Sequence, residues 1–385
     1  MFKITQKQYL SDGANFHVGK IENLQNNKMF VWVYDCGQLP KSFCEKVDVI
    51  YVSHFDKDHI QGAVNLLKNN EQAAVIGPYV SKDDFINILL HLNLDDTNII
   101  DFIFDSYANS INLSKNDAVL YRDGNVHSLD DDAENYGDIN ISALDRKVSA
   151  VLKKQTSFEK MYPNWKLITF SYKSLDVGED SFKQVDDNDI KKCIKHKHER
   201  KKFIERIKGE FKSFEKRKEN LISMSLYSGP VFSRGKYTEF LDSYCLRNIP
   251  PAWMHTGDSG FRSTDGKDSI YTAFLNKYKA LSGYVGTFVL PHHGLYNSQN
   301  EKMYTDFPFA NFLLVPFTRY PKIYDFCGIK RRLYWTKYAN YSTVTFQNGT
   351  YPPFFEEITK ITEKQLFYKN KSKYPGLILK RPEEG

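Results

Sequence analysis

The chain has 385 residues, of which 41% are hydrophobic and 26% are charged, and its net charge is +6. This composition supplies a conventional core and excludes a mainly disordered chain. No stretch reaches the roughly 18 consecutive apolar residues of a membrane helix, so we expect no membrane partner. The first residues lack the pattern of a secretory signal, and the five scattered cysteines have no C-x-x-C spacing. Both features predict a cytoplasmic protein with free thiols.

The first fifty residues predict β-strands. Residues 11–13 are a turn signal, and residues 30–34 and 47–52 are continuous apolar runs, typical of strands buried on both faces. The second run leads directly into Ser53 and His54, and helical spacing follows Gly62. We therefore expect a polar loop between this strand and the helix, at the carboxyl end of a sheet.

Further strands are predicted at residues 165–170, 221–226, 252–254, 285–290 and 311–315. The segment from about 80 to 170 mixes short helical and strand signals with polar loops. At roughly 100–200 residues per domain, the length allows two domains or one large domain with an insertion.

A strongly basic segment lies at residues 191–219. It holds thirteen Lys or Arg and five Glu, a net charge of +8, so the rest of the chain is slightly acidic. Its apolar residues recur every three or four positions, which predicts an amphipathic helix: Phe203, Ile204, Ile207, Phe211 and Phe214. Either the basic face contacts a nucleic-acid backbone, or it is solvated while the apolar stripe packs on the main domain or a second subunit.

The segment most informative about chemistry is His-Phe-Asp-Lys-Asp-His at residues 54–59. Two imidazoles and two carboxylates on one loop can hold two divalent ions side by side. The alternative is that the carboxylates only cap the following helix, where Asp58 would favour the N-terminus. The density of ligand types directly after an apolar strand favours the metal site.

Two distant segments support the metal interpretation. His-Thr-Gly-Asp at 255–258 places an aspartate in a glycine-containing turn at a strand end, and Pro-His-His-Gly at 291–294 adds two histidines. The three motifs together contain five of the ten histidines of the chain: His54, His59, His255, His292 and His293.

These motifs resemble the metallo-β-lactamase superfamily, and within it the branch that contains the soluble domain of the DNA-uptake protein ComEC. The resemblance includes Asp35 in a segment similar to the Asp-x-Gly of the family, and an Asn-x-x-Ser at 220–223. The motifs occur in the expected order over residues 1–170 and 220–350. The resemblance implies an α/β fold of the αββα sandwich type: a single domain over 1–385, with residues 175–219 as a basic helical insertion.

The resemblance also implies a set of metal ligands: His54, Asp56, Asp58, His59, Asp258 and His293. The first two would serve one ion and the next two the second, with Asp258 bridging both. Asp35 would orient a ligand histidine through its free ring N–H. His292 would be a partner of the ligands or a substrate contact.

The chain departs from the family pattern at two places. A further histidine ligand between the first motif and Asp258 has two candidates, His91 in an apolar helical context and His127 after a turn signal. Leu295 stands where the related branch has serine after Pro-His-His-Gly, and Ser298 follows three positions later. We therefore expect substrate contacts in this segment to differ.

The expected activity is hydrolysis of a phosphodiester in DNA or another nucleic acid. Two divalent ions activate water and neutralise charge on the attacked group. The oxygen-rich ligand set favours Mn²⁺ or Mg²⁺ over Zn²⁺. Lys57 can stabilise a phosphate oxygen or point to solvent. His255 can contact the substrate, donate a proton to the leaving group, or simply pack beside the site.

Two other functions stay open on the sequence alone. One is hydrolysis of a small cyclic nucleotide, which an enclosed pocket would favour. The other is a metal-binding scaffold subunit of a bacterial defence complex. The segment 191–219 is also a candidate surface for a homo-oligomer or a partner protein.

Overall fold

The computed structural model describes residues 2–11, 14–23, 26–39, 43–70, 73–78, 80–116, 165–171, 182–212, 223–231, 252–261, 269–292, 298–300, 302–307, 310, 312–314, 343–344, 355–361 and 366–370. In these ranges the chain is a mixed α/β protein with two mixed β-sheets. None of the helices found there combines the length and apolar character needed to cross a bilayer.

The first sheet has seven strands in the order β13-β12-β1-β2-β3-β4-β5. Its strands are β1 (Phe2–Ser11), β2 (Ala14–Asn23), β3 (Met29–Cys36), β4 (Val49–Tyr51), β5 (Ala74–Ile76), β12 (Phe355–Ile361) and β13 (Leu366–Asn370). β3, β4 and β5 are parallel, whereas the other neighbours are antiparallel. The apolar runs at 30–34 and 47–52 are thus confirmed as neighbouring strands.

The second sheet has six strands in the order β11-β10-β9-β8-β7-β6. Its strands are β6 (Trp165–Phe170), β7 (Ser225–Pro230), β8 (Ala252–His255), β9 (Val285–Val289), β10 (Phe312–Leu314) and β11 (Thr343–Val344). Four of the five predicted strands are confirmed. The prediction at 221–226 was wrong in its bounds, because β7 begins at Ser225, and residues 221 and 222 lie outside the described ranges.

The helices lie between the strands along the chain. They are α1 (Lys57–Asn69), α2 (Lys82–His91), α3 (Thr97–Asn116), α4 (Asp187–Lys195), α5 (Lys197–Glu210), α6 (Ser269–Tyr278), a 3₁₀ helix (Lys279–Tyr284) and the single turn α7 (Met303–Asp306). α2 begins with a capping box, in which Ser81 and Asp84 satisfy each other's backbone N–H groups.

Alternating side chains of β3 separate two hydrophobic layers. Val31 and Val33 pack with the helices α1 to α5, while Phe30, Trp32 and Tyr34 pack with residues of the second sheet. All five side chains are buried, as predicted for a strand covered on both faces. Since each such side chain contributes roughly 1.5–3 kcal/mol when it is buried, β3 is a central element of the core.

The second sheet is covered in the same way. Leu226 on β7 joins the cluster between the sheets, whereas Tyr227 on the same strand packs outward with α6 and the 3₁₀ helix. The described residues thus form four layers: helices, the first sheet, the second sheet, and a further set of helices. This order brings the carboxyl ends of β4 and β8 close together.

The basic segment forms two helices and not the single helix that its periodicity predicted. α4 and α5 are separated only by His196, and Arg206 on α5 contacts Asp189 on α4 at 2.6 Å. The apolar side chains of α5 at positions 203, 204 and 207 are buried in the main core, which confirms packing of the stripe on the rest of the chain. Residues 175–181 and 213–219 lie outside the described ranges.

Arg200 connects this pair of helices to α3. Its buried guanidinium donates to Asp101 and Asp105, each at 2.8 Å, and to the Cys193 carbonyl at 2.9 Å. The same group lies 5.1 Å from the centre of the Phe104 ring. Because these contacts satisfy several buried acceptors at once, Arg200 is expected to contribute strongly to stability.

We predict that Arg200→Ala lowers the free energy of unfolding by about 2–3 kcal/mol, because it removes the buried guanidinium from the Cys193 carbonyl, the Phe104 ring and two carboxylates. Only the exposed Lys197 then remains beside the two carboxylates. Arg206→Ala is a matched control on the same helix, where the exposed pair with Asp189 contributes less than about 1 kcal/mol. Urea unfolding of both variants measures the difference, and equal losses would contradict the prediction.

Candidate metal centre

The 54–59 motif lies between β4 and α1, but not wholly on a loop. The sequence predicted the helix only after Gly62, whereas α1 begins at Lys57, so Asp58 and His59 occupy its first turn. Gly62 permits this early start because the helix crosses close to β3. A Cβ at Gly62 would lie 2.6 Å from Cys36 Sγ and 2.7 Å from the Cys36 carbonyl oxygen.

Three buried side chains from two distant segments meet at the end of the strands. One ligand atom each of His54, His59 and Asp258 lies within 4.8 Å of the others. The two histidines follow β4, and Asp258 follows β8, so the contact joins the two sheets. Two imidazole nitrogens and a carboxylate oxygen form a donor set suited to a divalent transition metal.

Asp56 is the N-cap residue of α1, yet its carboxylate makes no capping hydrogen bond. By contrast, the N-cap residues Ser81 and Asp186 both accept from their helices. Asp56 Oδ2 instead lies 3.4 Å from His54 Nε2. The geometry therefore does not support the interpretation of this carboxylate as a helix cap and places it beside the His54 imidazole.

Asp58 lies on the solvent side of the cluster. Its side chain is 45% exposed, and its Oδ2 atom is 3.7 Å from His59 Nε2. The carboxylates of Asp56 and Asp58 therefore flank the two buried histidines from the open side.

A buried network behind the cluster orients His59. Asp35 Oδ2 lies 2.9 Å from His59 Nδ1, and Asp35 also accepts from the Ser53 backbone N–H at 2.7 Å and from the Ser53 hydroxyl at 2.8 Å. Asp35 holds its position with a φ of 52°, in the left-handed region. The arrangement directs the Nε2 atom of His59 towards Asp258 and Asp58.

The charge state of His59 follows from the same contacts. Burial lowers the pKa of its imidazole, but the neighbouring carboxylates of Asp258 and Asp35 outweigh this effect and raise the pKa well above its ordinary value. Without a bound cation, these carboxylates therefore favour the doubly protonated imidazolium form of His59. A bound cation would take the place of one proton, so metal binding and proton release are coupled.

Ser53 is the one residue of the cluster to which the sequence analysis assigned no role. Its Oγ atom is within 3.2 Å of His59 Nδ1 and 3.0 Å of His54 Nδ1, in addition to its bond with Asp35. It thus orients both histidines. The spacing of the motif did not indicate this role, because it depends on how Ser53 packs against Asp35 and both imidazoles.

The turn that carries Asp258 is closely packed. Gly257 has a φ of 52°, and a Cβ there would lie 2.3 Å from Ser223 Oγ and 2.6 Å from Ser53 Cβ. Ser223 Oγ also accepts from the backbone N–H of Asp258 at 3.0 Å. Only glycine fits this position, which allows the carboxylate of Asp258 to approach His59 Nε2 at 3.4 Å.

Asp258 lies close to His292 as well as to the 54–59 motif. His292 Nε2 lies 3.9 Å from Asp258 Oδ2, its ring Nδ1 is 3.3 Å from Ser298 Oγ, and its backbone N–H donates to the Gly257 carbonyl at 3.0 Å. The two oxygens of Asp258 thus face two different histidines. The ligand predicted in this segment, His293, lies outside the described residues, as does the candidate His127.

The remaining predicted residues lie beside the cluster. Lys57 donates to Asp96 at 2.8 Å, so its role at a phosphate stays a prediction. His255 is fully buried among aromatic rings, and burial lowers its pKa to about 3, which favours a packed residue over a proton donor. His91 ends α2 and does not join the cluster of His54, His59 and Asp258.

The residues present fit a divalent cation. His54 Nε2 is buried and has no hydrogen-bond partner among the described residues. On the Nε2 side of the rings, His54 lies 3.4 Å from Asp56 Oδ2, and His59 lies 3.4 Å from Asp258 Oδ1. Two neighbouring ligands with bonds of about 2.1 Å to one ion lie about 3.0 Å apart in octahedral and about 3.4 Å apart in tetrahedral coordination, so the spacing is close to that of atoms sharing a metal.

Comparison with protein-family models gives no match for this sequence, and no curated protein is significantly similar to it. The chemistry of the site therefore has to be inferred from its own residues.

Proposed function

We propose that the chain is a metal-dependent phosphodiesterase that acts on nucleic acid, with the αββα architecture of a metallo-β-lactamase sandwich. The observation that carries this proposal is the buried group of His54, His59 and Asp258 within 4.8 Å. The four-layer order of helices and sheets supports the proposed architecture, since the cluster lies where the strands of both sheets end.

The ligands divide between two positions. His54 and Asp56 would hold one divalent ion, and Asp58 and His59 would hold the second, with Asp258 as a ligand for both. His292 is the described histidine next to the Asp258 carboxylate, and we propose it as a further ligand in addition to His293. When bound, two ions activate water and offset the charge of a phosphodiester in its transition state.

The residues of the chain itself supply orientation and exclude water. Asp35 and Ser53 hold the His59 ring so that its Nε2 atom faces the ligand side. Ser298 does the same for His292. The buried side of the cluster keeps the effective dielectric low, which would strengthen the attraction between the ligands and a bound cation. The carboxylate content of the ligand set favours Mn²⁺, with Mg²⁺ and Zn²⁺ as alternatives.

The test is hydrolysis of bis(p-nitrophenyl) phosphate and of a DNA oligonucleotide by protein stripped of metal and reloaded with Mn²⁺, Mg²⁺ or Zn²⁺. Activity is expected with Mn²⁺ and should disappear in excess chelator. Asp58→Asn should lose the activity, whereas Asp95→Asn, an exposed carboxylate outside the cluster, should keep it.

Absence of hydrolysis with every metal would contradict the proposed function. Turnover of a lactam or thioester, but of no phosphodiester, would overturn the substrate class and keep the metal centre.

A further inference from the structure

The helices α4 and α5 form a helical hairpin with a one-residue connection. Asp189, near the start of α4, contacts Arg206 of α5 at 2.6 Å, and the Cys193 carbonyl accepts from Arg200 at 2.9 Å. Residues early in α4 therefore lie beside residues late in α5, as in an antiparallel pair. The hairpin presents one face to the protein and another to solvent.

The inner face of the hairpin is fully used by packing. Ile190 and Cys193 of α4, together with Phe203, Ile204 and Ile207 of α5, belong to the core beneath α2 and α3. The apolar stripe therefore offers no surface for a second subunit within the described part of the hairpin.

The outer face carries unneutralised positive charge. Lys192 pairs with Glu199 at 3.3 Å, and Lys197 pairs with Asp101 at 3.2 Å. Four other exposed lysines have no carboxylate within 4.0 Å among the described residues: Lys191, Lys195, Lys201 and Lys202. These four lysines, called the lysine face below, come from both helices of the hairpin.

The hairpin is linked to the candidate metal centre through the connection between α2 and α3. Lys208 of α5 donates to the Leu92 carbonyl, and Asp96, four residues further on, pairs with Lys57 of the 54–59 motif. Arg200 contacts the first half of α3, at Asp101 and Asp105, further along the chain than Asp96. The end of α5 that holds Lys208 is therefore the end closer to the motif.

We propose that the lysine face binds the phosphate backbone of the nucleic-acid strand on which the metal centre acts, an inference that rests on the proposed function. Lysines without partners suit a polyanion, because each phosphate contact adds binding free energy by releasing counterions. A protein partner would need an apolar centre. The only large hydrophobic side chain exposed among the described residues is Met29, which lies outside the hairpin.

The test compares two variants with the same change of charge. In the first, all four residues of the lysine face are replaced: Lys191→Gln, Lys195→Gln, Lys201→Gln and Lys202→Gln. In the control, four exposed lysines elsewhere are replaced: Lys28→Gln, Lys46→Gln, Lys68→Gln and Lys279→Gln. Binding of a fluorescent 30-nucleotide single-stranded DNA and of the matched RNA is measured by anisotropy in chelator, over a range of salt concentrations.

The lysine-face variant should bind at least about tenfold more weakly at 100 mM salt, and the slope of log K against log salt should fall by about 3, since four contacts contribute about 0.7 each on a single strand. The control should lose less than about threefold. Equal losses in both variants, or an unchanged salt slope in the lysine-face variant, would overturn the proposal.

Hydrolysis of bis(p-nitrophenyl) phosphate distinguishes a failure of this proposal from a failure of the proposed function. The lysine-face variant should hydrolyse this small substrate at the wild-type rate, because four lysines distant from the ligands do not touch it. Loss of that activity in the variant would contradict a role limited to strand binding. Wild-type protein that binds the strand but hydrolyses neither substrate would instead overturn the proposed function alone.

Discussion

Replacing Asp258 by asparagine is expected to lower the rate of metal-dependent phosphodiester hydrolysis by at least about a thousandfold, equivalent to roughly 4 kcal/mol of activation free energy. The carboxylate is only 8% exposed, and its two oxygens face two histidines, at 3.4 Å from His59 and 3.9 Å from His292. An amide has the same shape but carries no negative charge, so it cannot hold two cations side by side.

The matched control is Asp306→Asn. Asp306 accepts from the Tyr271 hydroxyl at 2.6 Å, in the layer of helices outside the second sheet. Steady-state rates and thermal unfolding of both variants separate loss of chemistry from loss of fold. Asp258→Asn with an intact fold and more than a tenth of the wild-type rate would contradict the bridging role of this carboxylate.

The second large effect is acid destabilisation through two histidines buried between the sheets. The rings of His17 on β2 and His255 on β8 lie 4.1 Å apart between centres. Both side chains are fully buried, and none of their four ring nitrogens has a hydrogen-bond partner among the described residues. The aromatic rings of Tyr34 and Trp253 surround them, so a proton on either imidazole has no nearby counter-charge to stabilise it.

The direction of the pH effect follows from the two pKa values. Burial, followed by the charge of His255, lowers the pKa of His17 well below its ordinary value, and burial lowers the pKa of His255 to about 3. Both groups are neutral in the folded protein, whereas the unfolded chain takes up protons below about pH 6.5. Stability is therefore complete above that pH and decreases as the pH falls towards the folded pKa, by roughly 2 kcal/mol for each histidine at pH 5.

Urea unfolding at pH 7.5 and pH 5 in the presence of chelator tests this prediction. Between pH 7.5 and pH 5, the free energy of unfolding should fall by about 2 kcal/mol less in His17→Leu and in His255→Leu than in wild type. The control His196→Leu changes an exposed histidine of the α4–α5 connection and should behave as wild type. The same loss of stability in all four proteins would contradict an origin in the buried pair.

The strands were the part of the fold that could be predicted best from the sequence. Continuous apolar runs such as residues 30–34 are rare outside strands covered on both faces, and the structure confirms β3 there. Helix boundaries were less accessible. The start of α1 at Lys57 depends on the contact between Gly62 and Cys36, and the turn at His196 depends on the packing of two helices. Local periodicity shows neither contact.

The part of the candidate site that could be predicted from the sequence is the part whose residues lie in short motifs. The motif at 54–59 and Asp258 were identified from their types and spacing, and the structure places His54, His59 and Asp258 together. Ser53 and the proximity of His292 to Asp258 depend on how two sheets meet, which spacing does not encode.

His17 was missed for a different reason. It alternates along β2 with Phe16 and Val18, which pack with the outer helices. In an alternating strand, a polar residue between two apolar ones is expected to face solvent. Here the second sheet covers that face, and the ring of His17 packs against His255 and Trp253. Only the tertiary contact between the sheets reverses the expectation.

The central claim is that the side chains around His54, His59 and Asp258 hold divalent metal. Metal content is measured most directly by mass spectrometry of protein loaded with Mn²⁺ and then dialysed, for wild type and for His54→Ala. We predict about two ions per chain for wild type and at most about one for the variant, because His54 serves only the first position. Wild-type protein without stoichiometric metal, or equal metal content in His54→Ala, would contradict the claim.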